Sequence, residues 1–125
     1  MAIQEQEHHT GMSYVLFLDD VRDPNWVYPD SDVADWVVCR SFDEAVAVCE
    51  DLGCPSEVSL DHDLGDGTPT GYDFAHWLIS RDMDAVFFPK TFKWHVHSAN
   101  LIGAENIRGL LECYFQNRGM EKSPC

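Results

Sequence analysis

Apolar runs alternate with polar breaks along the chain, and most breaks fall abruptly. Tyr14-Val15-Leu16-Phe17-Leu18 is a continuous apolar run that stops at Asp19-Asp20. Its shortness and its β-branched and aromatic content predict a strand buried on both faces. The stretch from Val21 to Asp35 carries Pro24, Asn25, Pro29, Asp30 and Ser31 and predicts a long loop with, at most, a helical turn. Residues Asp35 to Cys39 form a second predicted strand. Ser41 and Glu44 have the spacing of a capping box, in which each side chain satisfies a free backbone N–H at a helix start. Phe42, Ala45, Val46, Cys49 and Leu52 then repeat at helical spacing until Gly53 and Pro55 end the helix.

Val58-Ser59-Leu60 predicts a short third strand ending in Asp61-His62-Asp63. A glycine-rich loop follows, and Phe74, Trp77 and Leu78 mark the apolar stripe of the next helix. Phe92 to His97 predicts the fourth strand. The last helix is expected to start near Asn100 or Gly103 and to bury Ile107, Leu110, Leu111, Tyr114 and Phe115. Strands alternating with helices in this order predict an α/β domain whose parallel sheet is covered on both sides by helices. Residues 13–118 are expected to form this one domain, between a flexible leader at 1–12 and a tail at 119–125.

Composition narrows the function. Twenty-two acidic against eight basic residues leave a net charge of −14, which repels nucleic acid over most of the surface and argues against duplex DNA as a partner. No stretch approaches the roughly 18 apolar residues of a membrane span, and Met1 to Gly11 lacks the order of a signal peptide, so no membrane partner and a cytoplasmic location are expected. The five cysteines, at 39, 49, 54, 113 and 125, include no CxxC pair, which argues against a disulfide framework and a four-cysteine zinc site.

The chemistry concentrates at strand ends. In an open parallel sheet all strand C-termini lie along one edge, where ligands bind. Asp19-Asp20, Asp61-His62-Asp63 and His95-Val96-His97-Ser98 would meet there. Hard cations take oxygen ligands, so Asp19, Asp20 and Asp61 are candidate ligands for Mg²⁺, with Mn²⁺ as a substitute. Strand alternation points His95 and His97 the same way. Histidine titrates near neutral pH, making His97 a candidate general acid with His62 assisting. A zinc site on His62, His95 and His97 is an alternative use of the same residues. Ser98 and Asn100, at the start of the last helix, are candidate phosphate contacts, although Asn100 serves equally well as the helix N-cap. The Gly65–Gly71 loop lacks a GxxxxGK[ST] pattern, and no GxSxG elbow occurs.

The acidic pair Asp19-Asp20, Asp61 and Ser98 resemble the active-site pattern of response-regulator receiver domains. That resemblance implies Mg²⁺ on the three carboxylates and on the backbone carbonyl of Asp63, phosphorylation at Asp61, and Ser98 beside the phosphoryl group. It also implies a three-layer receiver-like (flavodoxin-like) fold, here with a short, mostly parallel sheet of about four strands. The family's last strand and its lysine have no counterpart after Asn117. Across residues 14–115, LFLDDVRDP, SFDEAV, SLDHDLG, GYDFAHWL and VHSANLIGAENI resemble the cyclic-phosphate processing receiver domain. The implied activity is a metal-dependent phosphoesterase acting on a cyclic or terminal phosphate, on a phosphorylated small molecule or an RNA end. The implied site is Asp19, Asp20, Asp61, His62, Asp63, His97, Ser98 and Asn100. A non-enzymatic module that binds phosphate or metal and signals to a protein partner is the alternative.

Overall fold

The computed structural model describes residues 13–32 and 36–118. The expected leader and tail, the Asp35 start of the second strand and Cys125 lie outside the described residues. Four strands form one parallel sheet: β1 (Val15–Leu18), β2 (Trp36–Cys39), β3 (Glu57–Leu60) and β4 (Lys93–Val96), in the spatial order β2-β1-β3-β4. Between them run a one-turn helix α1 (Pro24–Val27), α2 (Phe42–Leu52) and α3 (Gly71–Asp84), and α4 (Leu101–Asn117) follows β4.

Handedness decides which face each helix covers. The steps from β2 to β3 and from β3 to β4 run in one direction across the sheet, so right-handed crossovers put α2 and α3 on one face. There α2 packs beside α3, and α3 beside α4. The core lies under these helices. Leu16, Leu18, Val58 and Leu60 from the strands meet Ala45, Cys49, Phe74, Ala75, Leu78, Ile107 and Leu111 from the helices, all buried. The step from β1 to β2 runs the other way, and its connection crosses the opposite face. The helical cover expected on both sides is therefore uneven. Among the described residues, α1 and the loop around it are the cover of the second face, because Pro24 and Pro29 leave room for one helical turn only. Tyr28 stacks on Trp36 there, with ring centroids 5.7 Å apart.

The capping box expected of Ser41 and Glu44 forms only by half, because Glu44 Oε1 accepts from the Arg40 N–H and not from that of Ser41. Ser41 accepts from the Glu44 N–H at 3.1 Å, Thr70 and Asp73 form a reciprocal capping box on α3, and Asn100 caps α4 by accepting from the Gly103 N–H at 2.9 Å. Buried Cys39 and Cys49 line the core as free thiols.

Candidate functional site

Three of the site residues are held by a backbone hydrogen bond that carries the sheet ladder one step past the strand end. Asp19 donates its N–H to the Cys39 carbonyl at 3.1 Å, Asp61 to the Leu18 carbonyl at 2.9 Å, and His97 to the Leu60 carbonyl at 3.0 Å. All three share the side-chain parity of Phe17, Ser59 and His95, so they project toward the second face. Asp19, Asp20 and Asp61 offer oxygen atoms that all lie within 4.8 Å of one another, and Asp19 and Asp61 are buried. Three carboxylates this close form a hard-oxygen cluster able to hold a metal ion.

The structure also brings in a residue that the sequence reading missed. Arg22 Nε meets Asp19 Oδ2 at 2.9 Å, and its Nη2 lies 3.6 Å from Asp61 Oδ1 and donates to the His97 carbonyl at 3.2 Å. Asp19 Oδ1 accepts the backbone N–H groups of Val21 and Arg22 at 2.9 and 2.8 Å. Arg40 ties the same loop down, donating to the carbonyls of Asp19 and Arg22 and to Asp23 Oδ1. Arg22 lies three residues after Asp19, and an acidic cluster in a chain with few cations is a place to look for its counter-ion.

These surroundings push two neighbouring carboxyls apart. Burial alone would raise Asp19, but the N–H groups of Arg22 and Val21, the guanidinium and His97 outweigh it and hold the carboxyl below its ordinary range. Asp61 goes the other way. Burial raises it, the Ser98 hydroxyl offsets that only in part, and the Asp19 charge adds to the rise. Adjacent acids with opposite shifts are a mark of functional clusters. Asp20 makes no hydrogen bond or ion pair among the described residues.

The histidines part company. His97 is enclosed, with its side chain 3% exposed. Its ring stacks on Phe17 at 4.6 Å, Nδ1 lies 2.7 Å from Ser59 Oγ, and Nε2 lies 3.1 Å from Asp19 Oδ2. Burial lowers its pKa, against the pull of Asp19. With both nitrogens engaged inside the protein, His97 faces Asp19 rather than the open rim where a general acid would meet a substrate. His62 is more exposed and pairs through Nδ1 with Asp63 Oδ1 at 2.8 Å, leaving Nε2 without a hydrogen bond among the described residues. Its ring lies so close to α4 that a Cβ on Gly103 would come within 2.4 Å of Cγ. A Cβ on Gly71 would sit 1.8 Å from the Asp61 carbonyl oxygen, so α3 can start against this loop only with glycine there. His95 pairs with Glu57 at 2.6 Å. The three histidines thus have separate partners, and the zinc alternative is not assembled.

Asp63 stands outside the carboxylate cluster: its side chain is held by His62 and by Asn100 Nδ2 at 3.3 Å to each oxygen, and these bonds lower its pKa. Asn100 is thereby both the N-cap of α4 and the tether of Asp63, which occupies the amide expected to meet a phosphate. Ser98 stands beside Asp61 and accepts the Asn100 N–H at 3.1 Å.

A four-stranded parallel sheet with an aspartate cluster at its C-terminal edge defines a receiver-like α/β domain. A family model for the cyclic-phosphate processing receiver domain matches residues 14–113, and the chain belongs to that family. No curated protein and no solved structure matches the chain. No helix among the described residues is long and apolar enough to cross a membrane.

Proposed function

We propose that this domain is a metal-dependent phosphoesterase that opens or removes a cyclic or terminal phosphate. The observation that carries the reading is the convergence of Asp19, Asp20 and Asp61 within 4.8 Å, beside an oriented His62–Asp63 pair. Asp19, Asp20 and Asp61 would hold Mg²⁺ or Mn²⁺, with the Asp63 backbone carbonyl as the further ligand that the family resemblance implies. The residues fit such an ion: they are hard oxygen donors, two of them buried, and Asp20 has no competing partner among the described residues. When bound, the ion supplies positive charge that lets an anionic phosphate approach these carboxylates.

The chain's own groups do the rest. Arg22 adds a guanidinium beside Asp61, and Ser98 offers its hydroxyl to a non-bridging oxygen. A water oxygen forms the new bond to phosphorus as the ring P–O bond breaks. Asp61 takes the water's proton, and His62 Nε2 delivers a proton to the leaving oxygen. The general-acid role expected of His97 thus passes to His62, because His97 is enclosed. Asp63 orients His62, as an acid orients a catalytic imidazole.

Turnover of 2′,3′-cyclic nucleotides with Mg²⁺ or Mn²⁺ tests this. Activity is expected in wild type, with a loss of about 10²–10⁴-fold in His62→Ala. Absence of turnover across such a panel, together with stable labelling of Asp61 by acetyl phosphate, would favour the signalling module instead, a reading that family membership among receiver domains also supports.

A further inference from the structure

The second face of the sheet carries a partly buried polar chain that ends on the acidic cluster. Tyr28 Oη lies 2.6 Å from Ser59 Oγ, Ser59 Oγ lies 2.7 Å from His97 Nδ1, and His97 Nε2 lies 3.1 Å from Asp19 Oδ2. Ser59 is fully buried in the middle of β3, between β1 and β4. A polar side chain there needs a partner. Its small size also lets the His97 ring lie across β3, from the end of β4 to Phe17 and Asp19 on β1.

The donors can run in only one direction. An ionised carboxylate accepts and cannot donate, so His97 Nε2 carries the proton that meets Asp19. In the neutral ring Nδ1 is then an acceptor, which makes the Ser59 hydroxyl its donor. The Ser59 oxygen is left to accept from the Tyr28 hydroxyl. Reversing any link would set two acceptors or two protons against each other. Tyr28 is pinned in turn by its stack on Trp36.

We propose that Tyr28 and Ser59 are positioning residues, which hold the His97 ring so that its Nε2–H, selected by the Asp19 carboxylate, stays on Asp19 and fixes how Asp19 presents that carboxylate to the cluster. Groups of this kind behind a metal ligand typically change affinity 10–100-fold when removed. The proposal rests on the metal-binding reading of Asp19, Asp20 and Asp61, and the two fail separately in the following experiment.

The full chain is labelled with ¹⁵N, the His97 ring nitrogens are assigned, and Mn²⁺ binding is measured by calorimetry. Wild type is expected to show the Nε2–H tautomer. Ser59→Ala is expected to shift the His97 ring ¹⁵N resonances as Nδ1 loses its donor, with Nε2–H kept, and to weaken Mn²⁺ binding about tenfold. Tyr28→Phe keeps the aromatic stack and removes one oxygen, so it serves if Ser59→Ala folds poorly; a smaller shift in the same direction is expected. Ser59→Thr, which keeps the hydroxyl, should restore the wild-type ring shifts. An Nδ1–H form in wild type overturns the proposal, as does a Ser59→Ala variant that shifts the ring nitrogens and leaves Mn²⁺ affinity unchanged, or alters neither. If wild type itself binds no Mn²⁺, the metal reading falls and the ring shifts alone decide whether Tyr28 and Ser59 hold His97.

Discussion

Single side chains in this domain are read through their partners, and the clearest case lies away from the candidate site. Asp82 is buried on α3 and accepts from Tyr114 Oη, from both Phe87 and Phe88 N–H groups, and from two nitrogens of Arg118 at 2.8 Å. Burial alone would raise it, but these donors lower its pKa from 3.8 to about 2. A depressed folded-state value means that the stabilisation is complete above the unfolded value near 3.8 and fades as pH falls toward 2. The expected contribution is roughly 2 kcal/mol. Urea unfolding of wild type and Asp82→Asn checks this: the two should differ most near neutral pH and converge toward pH 2. At the candidate site, Asp19 and Asp61 share residue type and strand-end position yet shift in opposite directions, because Arg22 and two backbone N–H groups face one and burial dominates the other.

Among the elements, α4 carries the most site geometry on its first turn. Asn100 closes the helix start through Gly103 N–H and holds Asp63 through its amide. Replacing it with alanine removes both. Asn100→Ala is expected to lower stability by about 1 kcal/mol, the usual worth of an N-cap, measured by the urea midpoint at constant slope. The same variant should also slow any cyclic-phosphate turnover, since His62 loses a fixed Asp63. The connection from β1 to β2 has the other decisive role. Its prolines allow only a one-turn α1, yet it delivers Arg22 to the carboxylates and Tyr28 to Ser59.

At the level of the whole molecule the charge of −14 acts on everything at once. Repulsion among exposed carboxylates disfavours the compact state, and salt screens it over about 10 Å at 0.1 M. Thermal unfolding is therefore expected to shift upward as NaCl rises from about 10 to about 150 mM. Mg²⁺ at matched ionic strength should add a further rise if the cluster binds it, because a ligand held by the folded state alone stabilises that state. That further rise should be lost in Asp61→Asn. A rise with Mg²⁺ equal in both proteins would reduce the ion to a screening agent.

The strand ends, helix caps and parallel alternation were legible in the sequence, because each is a local property: an apolar run that stops, a serine three residues before a glutamate, a period of two or of 3.6. Parallel order then set Asp19 and Asp61 on adjacent strands, and the motifs LDDVRDP and SLDHDLG marked the family. Local signals could not show which way a side chain turns once the strands lie side by side. That His97 crosses β3 to Asp19, that Asn100 serves Asp63, and that Arg22 bridges two carboxylates depend on contacts between residues up to 78 positions apart. Ser59 left a trace, a polar residue inside a buried strand, but its partners Tyr28 and His97 became visible only when handedness placed the β1–β2 connection over the second face. Sequence determined the elements and their chemistry; tertiary packing decided which donor meets which acceptor, because a hydrogen bond is made in space and no periodicity along the chain encodes it.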